Sequence, residues 1–159
     1  MLVLQFYLGD VMYVIKCQHV KEVAPLTALK KLPHSPACVA GLFNYRGAIV
    51  PVIDLRQFLH DTPCQLRLST RIILVEYAGP NRAAAVFGMM AERITEAINR
   101  PDSDLLAPGL SMPDAPYLNG IMMENQDMIQ LIDLDILAKS LTFLPMLENP
   151  DSYETTAVN

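Results

Sequence analysis

Between Gly41 and Leu55 the chain reads Gly-Leu-Phe-Asn-Tyr-Arg-Gly-Ala-Ile-Val-Pro-Val-Ile-Asp-Leu, and this stretch limits what the rest can become. Two glycines six residues apart bracket a polar corner, Asn44-Tyr45-Arg46, and an almost wholly apolar run starts at Ala48. That pattern is strand, tight turn, strand. Gly47 supplies the positive φ that a hairpin corner requires, and Asn44 tolerates left-handed geometry better than most residues. Arg46 is therefore held at a bend. Pro51 donates no ladder bond, so its strand is expected at a sheet edge or with its pairing broken there. An edge is a place where a second protein docks. Asp54 ends the strand and is placed to cap one helical turn, Leu55 to Leu59, with Gln57 at the third position.

The flanking chain carries the same β character. Leu2 to Leu8 reads as a strand buried on nearly both faces, Gly9-Asp10 as a hairpin turn and Val11 to Cys17 as the return. From Gln18 to Ala24, Val20 and Val23 face inward while Lys21 and Glu22 point to solvent, and Pro25 ends the segment. Thr27 to Ala40 holds Pro33 and Pro36 and reads as a loop. The polar stretch His60 to Leu68 is expected to link two halves. Ser69 to Tyr77 and Arg82 to Ala91 then pair across Ala78-Gly-Pro-Asn, with Gly88 marking a bulge or a close backbone approach. Ile94 to Ile98 is expected as a further short strand, and Arg100 to Pro116 as a long irregular loop.

Leu118 to Glu124 and Met128 to Ile132 form a last hairpin, and here the chain echoes itself. Val50-Pro-Val-Ile-Asp-Leu returns as Ile129-Gln-Leu-Ile-Asp-Leu, each strand ending on an aspartate able to cap a helix. Leu134, Leu137, Leu141 and Leu144 recur at spacings of three and four, the mark of a terminal helix with one apolar stripe. Some ten short strands with few helices predict an all-β fold of two small barrels.

Bulk properties exclude several classes. Hydrophobic residues make up 52% of the 159, ample for a core. The net charge of −5 includes Glu148, Asp151 and Glu154 of an acidic segment, 145–159, expected to be a disordered tail beyond a domain spanning 1–144. Twelve bases scattered among seventeen acids give no basic face for nucleic acid. The longest apolar run, near Ala83 to Ala91, is far short of the ~20 residues that span a bilayer. With no signal-peptide pattern at the start and three unpatterned cysteines, a cytoplasmic protein with no direct membrane insertion is expected.

The corner, extended by one residue to Gly-Leu-x-Asn-x-Arg-Gly-x-Ile-Val-Pro-Val-Ile-Asp-Leu-Arg, resembles the signature of the CheW family, coupling proteins that join chemoreceptors to the histidine kinase CheA. The resemblance extends through Val20-Lys21-Glu22-Val23 and Gly120-Ile121 to Ile129–Leu134, covering residues 2 to about 144. It implies two five-stranded SH3-like barrels on a shared hydrophobic core with a short C-terminal helix, an arrangement that allows one barrel to be drawn from non-consecutive pieces. It also implies a charged pair, Arg46 with Glu22, near a receptor-binding groove. The expected receptor- and kinase-binding set is Val20, Glu22, Asn44, Tyr45, Arg46, Gly47, Val50, Pro51 and Asp54. Expected partners are the cytoplasmic tip of a chemoreceptor, the CheW-like regulatory domain of a CheA-type kinase, and further copies of the chain in array rings. Tyr45 stands where the family more often has leucine, and Ala91-Glu92-Arg93-Ile94 departs from its usual Val-Asp pattern.

Two other classes set the contrast. A β-barrel binding nucleic acid or oligosaccharide calls for stacking aromatics on a basic groove, yet there is no Trp and 7% of residues are aromatic. A thiol or metal enzyme would draw on Cys17-Gln18-His19, expected to put thiol and imidazole on one strand face, or on His60 and Cys64. Neither has the paired spacing of a zinc site. No catalytic residue, metal or cofactor is expected. Met89 and Met90, inside an apolar strand, are expected in the core.

Overall fold

The computed structural model describes residues 1–78, 84–107 and 112–144. Among the described residues, eleven strands fall into two sheets. The central sheet uses β3 (Val20–Pro25), β4 (Val39–Tyr45), β5 (Ala48–Asp54), β6 (Arg71–Ala78) and β7 (Ala84–Ala91), in the order β3-β6-β7-β5-β4. The terminal sheet takes β1 (Leu2–Leu8) and β2 (Val11–Lys16) from one end of the chain. From the other end come β8 (Ile98–Asn99), β9 (Leu105–Leu106), β10 (Leu118–Glu124) and β11 (Asp127–Ile132), giving the order β8-β1-β2-β11-β10-β9. One unit is thus assembled from non-consecutive pieces, as expected, and the short β9 makes it six-stranded rather than five.

Both sheets are built alike. Each joins two antiparallel hairpins through a parallel contact: β5 to β7 at Val52↔Gly88, and β11 to β2 at Leu131↔Val14. The echo in the sequence extends much further in space, at a constant offset of 79 positions. Irregular pairing at Val39/Gly41 recurs at Leu118/Gly120. The Asp54 amide donates to the Cys38 carbonyl at 2.7 Å, and the Asp133 amide to that of Tyr117 at 2.8 Å. Asp54 Oδ1 accepts from the Gln57 amide at 3.1 Å, capping α1 (Leu55–His60). Asp133 Oδ1 does the same for Ile136 at 3.1 Å, capping α2 (Leu134–Ser140).

Three apolar clusters follow from strand alternation. Val50, Val52, Ile72, Leu74 and Met90 fill the central unit, and Val3, Val14, Met122, Ile129 and Leu131 the terminal one. Between them lies the largest, where Phe6, Leu8 and Ile15 meet Ile53, Ile73, Phe87 and Met89. The leucine stripe closes this shared core with Leu134, Leu137, Leu141 and Leu144, the last two lying past the end of α2. Gly88 marks close approach and not a bulge. A Cβ there would stand 2.7 Å from Ile72 Cγ2, while the β6–β7 register runs unbroken.

Several expectations need correction. β5 is not an edge strand, since β4 and β7 flank it, and of the two expectations at Pro51 the broken pairing holds, the ladder to β7 beginning only at Val52. The His60 to Leu68 stretch does not link the halves, because it joins α1 to β6 within the central unit. Crossing between units occurs at the 3-10 turn Cys17–His19 and at residues 92–97. The turn replaces the strand expected there, and of Ile94 to Ile98 only Ile98 is in a strand. The long loop holds a 3-10 turn, Asp102–Asp104, and β9. The expected tail and much of the Ala78–Asn81 turn lie outside the described residues.

Candidate functional site

The hairpin β4–β5 turns through Arg46 (φ 51) and Gly47 (φ 88), the paired left-handed residues of a type I′ corner. The left-handed residue beside the glycine is Arg46, not Asn44. Asn44 contributes otherwise, its Oδ1 accepting from the Gly47 amide at 3.0 Å. This corner aims two donors at one carboxylate. Tyr45 Oη donates to Glu22 Oε2 in a short hydrogen bond, and Arg46 Nη2 donates to the same oxygen at 3.2 Å. Tyr45 also stacks on Phe43 at 6.1 Å, and the Arg46 guanidinium stands 5.1 Å above the Tyr45 ring. The hydrogen bond to Glu22, helped by desolvation, raises the Tyr45 pKa and keeps the phenol protonated.

Glu22 lies on β3 and Tyr45 on β4, the opposite edges of the central sheet. The sheet therefore curls until its edges meet, and side chains clasp the seam. Beyond the seam, Lys30 and Leu42 exchange backbone hydrogen bonds of 2.9 and 2.7 Å, covering part of the β4 edge. The terminal sheet is clasped at the corresponding place. Glu124, at the end of β10, accepts from Arg100, just past β8, and from Gln5 Nε2 at 3.2 Å. Charges are reversed between the two: here the base stands beside the edge strand β8 and the acid on β10, next to the edge strand β9.

The remaining expected residues do not share one face. Val20 and Val23 pack toward the inter-barrel core and line an apolar groove of about 540 Å³ with Leu4, Cys17, Ile94 and Ala97. Val50 is buried inside the central barrel, and Pro51 is buried beside it. Asp54 is buried with both oxygens engaged, Oδ1 in the helix cap and Oδ2 with the Cys64 amide at 3.0 Å. Of the set, Asn44, Arg46 and Gly47 are exposed, Glu22 and Tyr45 are half-buried, and Val50, Pro51 and Asp54 are buried.

Other features escaped the sequence reading. Ile49 is 59% exposed on β5, and its counterpart 79 positions on, Met128, is 73% exposed on β11. Carrying the echo back by a few residues would have paired these two and set Tyr45 over Glu124. Glu92 is a buried hub. Its Oε1 accepts from the Gly9 amide at 2.6 Å, and Oε2 from the Gln65 amide at 2.7 Å and Arg56 at 3.2 Å. Burial works to raise its pKa, but the Gln65 and Gly9 amides and the Arg56 charge outweigh it, and the net shift is downward. A polar cleft of about 340 Å³ opens beside this hub, bordered by Arg67 and Arg93.

The thiols and imidazoles go separate ways. His60 Nε2 is bonded to Tyr13 Oη at 2.8 Å, and Cys64 Sγ to the Met90 carbonyl at 3.5 Å. Burial raises the pKa of Cys17, Cys38 and Cys64, so none is poised as a thiolate. Among the described residues no group of three or more His, Cys, Asp or Glu is arranged to hold a metal ion, and no helix is long and apolar enough to cross a membrane.

Comparison with known proteins agrees with this architecture. The chain is 28% identical over 141 residues to a chemotaxis protein CheW of Treponema pallidum, covering 85% of this chain and 80% of that one. It is also 28% identical to protein FrzA of Myxococcus xanthus, with 85% and 83% covered. The crystal structure of the scaffolding protein TtCheW from Thermoanaerobacter tengcongensis matches with a TM-score of 0.74 and 27% identity, over 86% of this chain and 90% of that one. The model of the CheW-like domain matches residues 2–142, and with two barrel-like units on one shared core the chain belongs to the CheW-like family.

Proposed function

We propose that this chain is a non-enzymatic cytoplasmic adaptor that couples methyl-accepting chemoreceptors to a CheA-type histidine kinase in a chemotaxis-like pathway. The observation that carries the reading is the Glu22–Tyr45–Arg46 clasp, whose Glu22 lies on β3, the strand that also gives Val20 and Val23 to the apolar groove. A receptor helix needs an apolar trough with a polar rim that fixes its register, and this strand offers one element of each. The shared core binds the two units into one body, so a load on one face reaches the other.

The second partner is the CheW-like regulatory domain of the kinase, docked barrel end to barrel end. Ile49 and Met128 are apolar knobs at matching places on the two units, suited to the small hydrophobic centre of a transient interface. Because both units carry one, the same ends serve a ring in which copies of the chain alternate with kinase domains or with one another.

The test is charge reversal at the corner. Arg46→Glu is expected to leave the fold intact, since the side chain is 74% exposed, and to abolish capture of receptor tip and kinase in a pull-down. Undiminished capture of both would sink the reading.

A further inference from the structure

We propose that the polar cleft beside Glu92 binds a phosphate group, free or at the end of a small organic molecule, and that the bound anion ties the two barrels together. This site stands apart from the surfaces of the adaptor reading.

The cleft draws its walls from both units. Gly9 and Asp10 come from the β1–β2 turn of the terminal unit, Arg56, Arg67 and Ser69 from α1 and the loop after it, and Arg93 from the crossing between units. Three guanidinium groups thus border one opening on a chain whose net charge is −5. The nearby acids offset them only in part. Glu92 spends its carboxylate inward, on the Gly9 and Gln65 amides at 2.6 and 2.7 Å and on Arg56 at 3.2 Å. Asp10 is fully exposed and stands 4.0 Å from Arg93, at the limit of an ion pair. Three cations against two carboxylates leave one positive charge over.

Each arginine is held in place before a ligand arrives. Arg56 is fixed by Glu92 and lies against Gly9, where a Cβ would stand 3.0 Å from its Nη2. Arg93 sits 4.0 Å above the Tyr7 ring and donates to the Gly9 carbonyl at 2.6 Å. The loop that carries Arg67 is pinned by buried Thr70, whose Oγ1 donates to the Gln65 carbonyl at 2.5 Å and whose amide donates to the Arg67 carbonyl at 3.0 Å. Donors ordered in advance lose less entropy on binding. Their capacity is mostly unspent: Arg56 and Arg93 each use one of five N–H groups, and the Arg67 side chain none, among the described residues. Guanidinium groups on three separate segments, with the Ser69 hydroxyl beside them, suit a tetrahedral anion of more than one charge better than a planar carboxylate or a halide. The volume of about 340 Å³ lies at the small end of ligand pockets and leaves room beyond a bare phosphate.

The test is calorimetry and thermal unfolding of the full chain at constant ionic strength, with phosphate, glycerol 3-phosphate, acetate or chloride. Phosphate is expected to bind saturably at one site per chain and to raise the unfolding midpoint. Arg67→Gln and Arg93→Gln should each weaken it about tenfold or more, since each removes a charge-assisted pair. Arg67 is exposed and Arg93 half exposed, so without phosphate both variants should unfold close to the wild-type midpoint. Lys31→Gln makes the same charge change at an exposed residue outside the cleft and should bind as the wild type does. Phosphate also stabilises folded proteins by exclusion from their surface, a contribution that survives in every variant. An equal rise in wild type, Arg67→Gln and Arg93→Gln therefore overturns the site, as does acetate matching phosphate or a loss in Lys31→Gln as large as theirs. Tighter binding of glycerol 3-phosphate upholds the site and gives the spare volume to an organic remainder, whereas tighter binding of phosphate upholds it for the free anion. The tie is read by hydrogen exchange at Asp10 and Val11, which phosphate should slow in the wild type but not in Arg67→Gln. Slowing confined to the central unit would overturn it.

Discussion

The two barrel seams solve one problem in opposite ways. A curled sheet leaves two edges, and unpaired edges invite aggregation. In both units a carboxylate and an arginine span the gap, although only Glu124 stands on the internal repeat, at the place that Tyr45 holds in the central unit. In the terminal unit the pair is sunken, Arg100 and Glu124 being 25% and 24% exposed, and the buried Gln5 donates to the second carboxylate oxygen. Arg100 even keeps a buried Nε without a partner. In the central unit the arginine stands in solvent, and a tyrosine does the steady holding. One clasp is built to stay shut, and the other leaves its cation available for a second task.

The largest expected effect breaks this contrast directly. Glu124→Ala strands a half-buried guanidinium, and removing one partner of a buried pair costs about 3–5 kcal/mol. Because Arg100 keeps a quarter of its exposure, a loss of about 2–3 kcal/mol is expected. Glu22→Ala, at the exposed clasp, should cost under about 1 kcal/mol. Urea unfolding of both variants measures the difference, and equal losses would mean that the seams do not differ in kind.

Next in size are the two helix caps. Asp54 and Asp133 hold matching places, and each accepts from the amide three residues on. They diverge at the second oxygen. Asp54 Oδ2 takes the buried Cys64 amide at 3.0 Å, while Asp133 Oδ2 takes the exposed amide of Asn119 at 3.2 Å. Asp54→Ala loses a cap and leaves a buried N–H unsatisfied, at a cost of about 2–3 kcal/mol. Asp133→Ala loses little more than its cap, about 1 kcal/mol. Thermal unfolding ranks them, and the reverse order would remove the burial argument.

How much of this was legible in the sequence varies with the range of the interaction. The positive φ at Gly47, the caps at Asp54 and Asp133 and the buried Met89 and Met90 are local, written in spacing and residue type, and they stand where expected. Pro51 misled about the edge because only one side of β5 loses its pairing there, and a missing N–H does not say which side. The Glu22–Arg46 pair came from family resemblance, since nothing in a spacing of 24 residues joins a strand to a turn. Tyr45 was visible as an unusual residue, but its bond to Glu22 depends on how far the sheet curls. Arg100 with Glu124 was invisible for the same reason, with an irregular loop between the two.

The smallest expected effect lies where the barrels meet. Glu92 accepts from the Gly9 amide at the β1–β2 turn of the terminal unit, and from Gln65 and Arg56 of the central unit. Its pKa is lowered in the folded chain, so folding favours the ionised form. The stabilisation from this group is complete above the ordinary carboxylate range and drains away as pH falls through the depressed value. Glu92→Gln should therefore be less stable than wild type at neutral pH, by on the order of 1 kcal/mol, because neutral hydrogen bonds are about half as strong as charge-assisted ones. The gap should close in acid. Since the group touches both units, a tryptophan probe placed in either barrel should report the same midpoint at every pH. Two midpoints that separate in the variant would mean that Glu92 couples two bodies able to unfold independently, and the shared core would then be a contact surface between domains.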